Sequence, residues 1–149
     1  FTGVCDFDLG NFAGDQFFVV PSGNPGTNYC LATPNSTGSA AVASAAGSTS
    51  VAANTLTLIA GPVPAQPGLF FYGPNQIQIL FGNGFRCVGG TVVRMTVGSP
   101  VGGFRNFPVD LPTFGITPGT LNFQYWYRDP AAGGSNFNLS DGLEIVFVP

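Results

Sequence analysis

The chain has 149 residues, and its four Lys or Arg and seven Asp or Glu give a net charge of −3 with no histidine. A charged fraction of 7% compares with about 25% in ordinary soluble domains. Because most hydrolytic and transfer enzymes use His, Lys or paired acids as proton carriers, this composition argues against an enzyme. The basic residues are scattered, which argues against nucleic-acid binding: they are Arg86, Arg94, Arg105 and Arg128.

The first 28 residues differ from the rest of the chain. They contain Cys5 and the apolar run Gln16-Phe17-Phe18-Val19-Val20, followed by a Pro- and Gly-rich stretch, Pro21–Asn28, that is typical of a linker. We therefore expect an N-terminal extension over 1–28 and a compact domain over 29–149. The first residue is Phe1 rather than Met, so we expect that an export signal has been removed and that the protein is secreted or lies at the cell surface. No apolar stretch is long enough to predict a membrane span.

The rest of the chain is predicted to form short strands. Several segments alternate apolar and polar residues with the period of two that half-buried strands require: Thr55–Ala60, Gln76–Phe81, Val93–Val97, Leu121–Arg128 and Leu143–Phe147. Gly68–Tyr72 adds a continuously apolar strand, and Gly, Pro, Asn and Asp turn signals separate these segments. The pattern predicts an all-β fold, an antiparallel β-sandwich of jelly-roll or immunoglobulin-like type. The N-terminal extension could pair with a neighbouring subunit.

Three long segments carry a resemblance to a known kind of module: Asn28–Ser39, Gly68–Gly90 and Leu121–Pro149. Together they resemble an uncharacterised β-rich module found, often C-terminally, in exported proteins of planctomycetes and related bacteria. The resemblance implies an extracytoplasmic β-rich domain and supplies no catalytic residues. Cys30 and Cys87 both lie in the matched segments, so the resemblance implies that they form the intradomain disulfide. Cys5 is then the odd cysteine, available for an intersubunit disulfide or present as a free thiol.

Candidate ligand sites are few. The cysteines lack C-x-x-C spacing and a histidine, so we expect no zinc site, and we expect no cofactor. Asp129 and Asp141 stand in ordinary turn contexts, which makes a hydrolytic pair with Glu144 a poor hypothesis. Trp126 takes the opposite strand face from its Tyr neighbours and invites sugar stacking, although use in the core or at an interface is the stronger interpretation.

These observations predict an exported structural subunit that self-assembles into an extracellular fibre or surface layer. Gln16–Val20 would act as a donor strand that completes the sheet of the next subunit, and Cys5 lies on the same segment. The competing interpretation is that this strand folds back onto its own domain. A carbohydrate-binding or adhesive module that uses Trp126 is the alternative function. We expect a homo-oligomer or polymer in the first case and a glycan ligand in the second, with no nucleic acid in either.

Overall fold

The computed structural model describes residues 24–149, and in that range nearly all of the regular structure is antiparallel β-strand, with no α-helix. The predicted all-β sandwich is confirmed. The strands, in chain order, are β1 (Thr27–Tyr29), β2 (Val42–Ala46), β3 (Thr57–Gly61), β4 (Gly68–Gly73), β5 (Asn75–Phe81), β6 (Gly84–Gly89), β7 (Val93–Arg94), β8 (Arg105–Pro108), β9 (Gly119–Arg128), β10 (Phe137–Leu139) and β11 (Gly142–Phe147). Two short 3₁₀ helices, Pro112–Phe114 and Pro130–Ala132, flank β9.

The strands form two facing sheets and a separate hairpin. The larger sheet has the order β1-β11-β9-β4-β7, with β10 also paired to β9, and the smaller sheet has the order β2-β3-β8. Strands β5 and β6 pair only with each other and form the hairpin. One hydrophobic core lies between the two sheets, and residues of both contribute to it, among them Leu58, Ala60, Phe70, Tyr125 and Ile145.

Strand β9 is the centre of the larger sheet, and its core face follows the predicted alternation. Phe123, Tyr125 and Tyr127 are fully buried. The ring of Tyr125 lies 4.8 Å from that of Phe70 on β4, measured between centroids. Such aromatic pairs add to the free energy gained from burying apolar area.

The hairpin forms a third layer, and because of it the structure differs from two predictions made from the sequence. The period of two places Gln124 on the solvent face of β9, but the hairpin covers that face and leaves Gln124 fully buried. Ile79 and Phe81 are predicted to point into the core, and this is wrong: they are 51% and 43% exposed. The strand itself is present, but it lies outside the two main layers, so no second sheet covers its apolar side chains.

The predicted strand Val93–Val97 is also shorter than the pattern indicates. Only Val93 and Arg94 form strand β7, and Val93 and Val97 are 36% and 62% exposed. Because this edge strand leaves the sheet after two residues, Met95 alone reaches the core, at 5% exposure.

A disulfide joins Cys30 to Cys87, with the two sulfurs 2.10 Å apart across a sequence separation of 57 residues. It links the segment after β1 to strand β6, so it ties the hairpin to the main body, as the resemblance implied. Strand pairing begins at Thr27, slightly before the boundary expected at residue 29. Cys5 and the candidate donor strand Gln16–Val20 lie outside the described residues.

Candidate functional site

Strand β5 is the most unusual surface feature of the described domain. It has seven residues, carries no charge and contains no proline. Leu80 is 80% exposed, and its neighbours Ile79 and Phe81 are also exposed. The strand turns back through Gly82, whose φ of +59° suits glycine, and through Asn83, whose side-chain amide donates to a backbone carbonyl at 3.0 Å.

One edge of the hairpin, that of β6, is held to the larger sheet by side chains. Gln124 Oε1 accepts from Cys87 N–H at 2.8 Å, while Gln124 Nε2 donates to Phe85 O at 2.8 Å and to Ser140 O at 2.6 Å. The hydroxyl of Tyr29 donates to Cys87 O at 2.8 Å. The backbone groups of β6 that turn away from β5 are therefore satisfied, as buried polar groups must be. The edge of β6 cannot accept another strand.

The outer edge of β2 is capped in the same way. Ala45 N–H donates to Asn24 Oδ1 at 3.1 Å. Ala43 N–H donates to Asp141 Oδ1 at 2.8 Å, and Ala43 O accepts from Asn28 Nδ2 at 2.6 Å. Burial raises the pKa of the Asp141 carboxyl, and the hydrogen bonds that this carboxyl accepts from Ala43 N–H and Asn28 Nδ2 oppose that shift. Three side chains thus take the places that a neighbouring strand would occupy.

The remaining edges are short. Strands β1, β7, β8 and β10 have between two and four residues each. The buried Arg105 of β8 links the two sheets at this edge, since its Nη2 donates at 3.0 Å to the carbonyl of Thr96, which follows β7. Proteins protect sheet edges by capping or shortening them, because an open edge is a template for another strand. Among residues 24–149, only β5 offers a long edge with no strand or side-chain cap along its length.

A groove of about 510 Å³ adjoins the end of this strand, between the hairpin and the outer face of the larger sheet. Its apolar lining is Leu69, Phe71, Phe81, Trp126 and Phe137, and its polar lining is Arg86 and Arg94. No acidic residue of the described range lines it. The groove therefore combines apolar and aromatic surface with positive charge.

The aromatic side chains and one arginine of the groove are positioned by contacts with one another and with the backbone. The ring centroid of Phe137 lies 5.6 Å from that of Trp126 and 5.3 Å from that of Phe81. Arg86 Nε donates to Val88 O at 2.9 Å, which fixes the inner part of that guanidinium. Arg94 is exposed on β7. Trp126 is half-buried at this site, on the face opposite the core, which is where the alternation places it.

The other polar residues that the sequence suggests have structural partners. Asp129 is fully buried, and its Oδ2 accepts from Ser36 N–H at 2.8 Å. Asp141 caps β2. Asn35 and Asn138, each the first residue of an Asn-x-Ser/Thr sequence, are 6% and 0% exposed. Asn35 Nδ2 donates to Tyr127 Oη at 3.0 Å, so this amide is occupied inside the fold.

Comparison with protein-family models, curated proteins and solved structures finds no match to this chain. The resemblance to a module of exported bacterial proteins therefore stays a prediction. In residues 24–149 no helix is long and apolar enough to cross a membrane. The same range holds no cluster of three Cys, Asp or Glu side chains that could bind a metal ion.

Sequence reasoning did not single out Arg86, Arg94 or Phe137. One signal for the open strand was available: Ile79-Leu80-Phe81 is a run of three apolar residues that breaks the period of two just before a turn. No strand with one covered face needs apolar residues at consecutive positions. The groove itself had no local signal, because its lining comes from strands far apart in the sequence.

Proposed function

We propose that this protein is an exported structural subunit that self-assembles into an extracellular fibre or surface layer. In the proposal, Gln16–Val20 of one copy adds as a strand to the free edge of β5 in the next copy. The observation that carries it is the contrast among edges: the long edges of β2 and β6 are capped by side chains, whereas β5 is long, open and apolar at Ile79–Phe81.

Strand addition fits the chemistry of both partners. An added strand gains main-chain hydrogen bonds along the open edge, and its alternate side chains cover exposed apolar surface. The donor run has the aromatic and β-branched composition that strands favour, with Phe17, Phe18, Val19 and Val20. Little charge opposes association, since residues 24–149 contain as many arginines as acidic residues.

The geometry of such an interface favours an open polymer. The donor precedes the domain and the acceptor is the hairpin, so the two surfaces of each interface differ. A head-to-tail interface of this type gives a filament unless its rotation closes a ring. Cys5 lies upstream of the donor strand and could form a disulfide with the next subunit. The Cys30–Cys87 disulfide supports export, because disulfides persist in oxidising compartments.

The test is electron microscopy of the native, unreduced protein alongside two variants and one control. Deletion of residues 1–20 removes the donor, and Leu80→Lys places a charge on the acceptor edge. Val101→Lys is the matched control, because Val101 is 84% exposed, close to the 80% of Leu80, and lies outside β5. We expect filaments from the native chain and from the control, and folded monomers from the other two. Filaments that persist after the deletion would refute strand exchange.

A carbohydrate-binding module is the second candidate, and the groove around Trp126 favours it. An exposed aromatic face beside arginine side chains can stack on a sugar ring and donate hydrogen bonds to its hydroxyls. This function requires a chain that retains a glycan without polymerising. We expect Trp126→Ala to abolish glycan retention in that case, and unchanged retention would remove its support.

A further inference from the structure

Charge is distributed unequally along this chain. Residues 24–149 contain four acidic residues and four arginines, whereas the first 23 residues contain Asp6, Asp8 and Asp15 and no basic residue. The entire net charge of −3 therefore belongs to the N-terminal segment. That segment also carries apolar side chains between its acids, at Phe7 and Leu9 and beyond.

The groove has the complementary composition. It holds two of the four basic residues of the chain, Arg86 and Arg94, beside apolar and aromatic side chains. Neither arginine forms an ion pair with a carboxylate of residues 24–149. Their guanidinium groups are thus available to a carboxylate that comes from elsewhere, and Arg is well suited to bind one in a bidentate manner.

We propose that this groove is the receptor for the acidic and aromatic segment Asp6–Asp15 of a neighbouring copy. The inference rests on the proposed function and extends it, because it assigns an occupant to a second surface beside the open strand. Acidic side chains of the segment bind Arg86 and Arg94, and its Phe and Leu side chains cover Trp126 and the rings around it.

The two contacts are compatible in space. Phe81 is the last residue of β5 and also lines the groove. If Gln16–Val20 pairs antiparallel to β5, its first residue lies beside Phe81, and the residues that precede it continue into the groove. The tether between Val20 and the described domain is residues 21–23, which span about 14 Å when extended, so the proposal requires the two subunits to lie in close contact.

The first experiment compares two exposed arginines of the same sheet in the full-length chain. Arg94→Gln alters the groove, and Arg128→Gln removes the same charge outside it. We expect the critical concentration for polymerisation to rise about tenfold for Arg94→Gln and further for Arg86→Gln with Arg94→Gln, while Arg128→Gln leaves it unchanged. A tenfold change corresponds to about 1.4 kcal/mol. Added salt should raise the native value and have less effect on the double variant.

The second experiment mixes two subunits, so that the groove is also tested in a subunit whose groove residues are unchanged. A subunit with Arg86→Glu and Arg94→Glu retains its donor segment, and a subunit lacking residues 1–20 retains its groove. Each subunit alone should stay monomeric. An equimolar mixture should form a dimer and no larger polymer, as sedimentation would measure. Adding Asp6→Arg and Asp8→Arg to the Arg86→Glu, Arg94→Glu subunit should restore polymers.

Failure of this inference differs from failure of the proposed function. If the deletion abolishes polymers but the groove variants polymerise like Arg128→Gln, the groove is not the receptor and strand exchange stands. The groove is likewise excluded as the receptor if the groove variants lose only glycan retention, whereas a mixture that gives no dimer contradicts strand exchange as well. If the native chain stays monomeric at all concentrations tested, both proposals fall.

Discussion

Substitution of Gln124 tests whether its side-chain hydrogen bonds hold the hairpin β5–β6 against the larger sheet. Its amide makes three hydrogen bonds, two of them buried, to Cys87 N and Ser140 O, and one partly buried, to Phe85 O. Gln124→Leu keeps the approximate volume and removes all three. Each backbone group left without a partner costs about 1–3 kcal/mol, while burial of leucine offsets about 1.5–3 kcal/mol.

The expected net loss is therefore about 3 kcal/mol of the free energy of unfolding, a large part of the roughly 5–15 kcal/mol typical of a domain. The measurement is urea unfolding with the disulfide intact, followed by fluorescence. Trp126 is the only tryptophan and lies between the hairpin and the sheet, so its emission reports on this layer. Gln78→Leu is the control, because Gln78 is exposed on β5 and should change stability by less than about 0.5 kcal/mol. If Gln124→Leu matched the control, side-chain capping would not be what holds β6.

Further predictions concern the disulfide, the tyrosines and the capped edge. Replacing Cys30 and Cys87 by Ser should lower the free energy of unfolding by about 4 kcal/mol on the chain-entropy model for a separation of 57 residues, as denaturant titration would measure. Burial raises the pKa of Tyr125 and of Tyr127 to about 12. Because the unfolded chain ionises near pH 10 and the folded chain does not, stability present below that pH should be lost as the pH rises from about 10 to 12. Circular dichroism and phenolate absorbance should change together in that interval. Asp141→Ala should leave an amide of β2 without its partner, lower stability by about 1–2 kcal/mol and increase light scattering on heating.

The sequence predicted the class of fold because the core strands obey a simple periodicity. Phe123, Tyr125 and Tyr127 recur at every second position, and only a strand with one face in a core requires this. The pattern failed where a third layer covers the sheet. Gln124 has the polarity of a surface residue, yet it is buried because its amide replaces a missing strand, and no local pattern distinguishes the two cases.

The site was less predictable than the fold for a physical reason. Leu69, Arg86, Arg94, Trp126 and Phe137 come from five separate strands, so the groove exists only once the hairpin docks on the sheet. Trp126 alone was singled out, because an aromatic side chain on the outer face of a strand invites sugar stacking. The open edge of β5 likewise depends on which strands lie beside it, and that is a property of topology rather than of local sequence.

An open edge can be filled by the extension of its own chain or by that of another, and the two cases predict opposite effects of one deletion. A segment tethered to its own domain acts at an effective concentration on the order of millimolar, so intramolecular pairing would prevail wherever the geometry allows it. In that case the native chain is a monomer, and deletion of residues 1–20 uncovers Leu80 and its neighbours and causes association. If the strand is exchanged, the native chain is the polymer and the deletion gives monomers. The sign of the change in mass, measured by sedimentation at matched concentrations, therefore separates the two mechanisms wherever the extension lies.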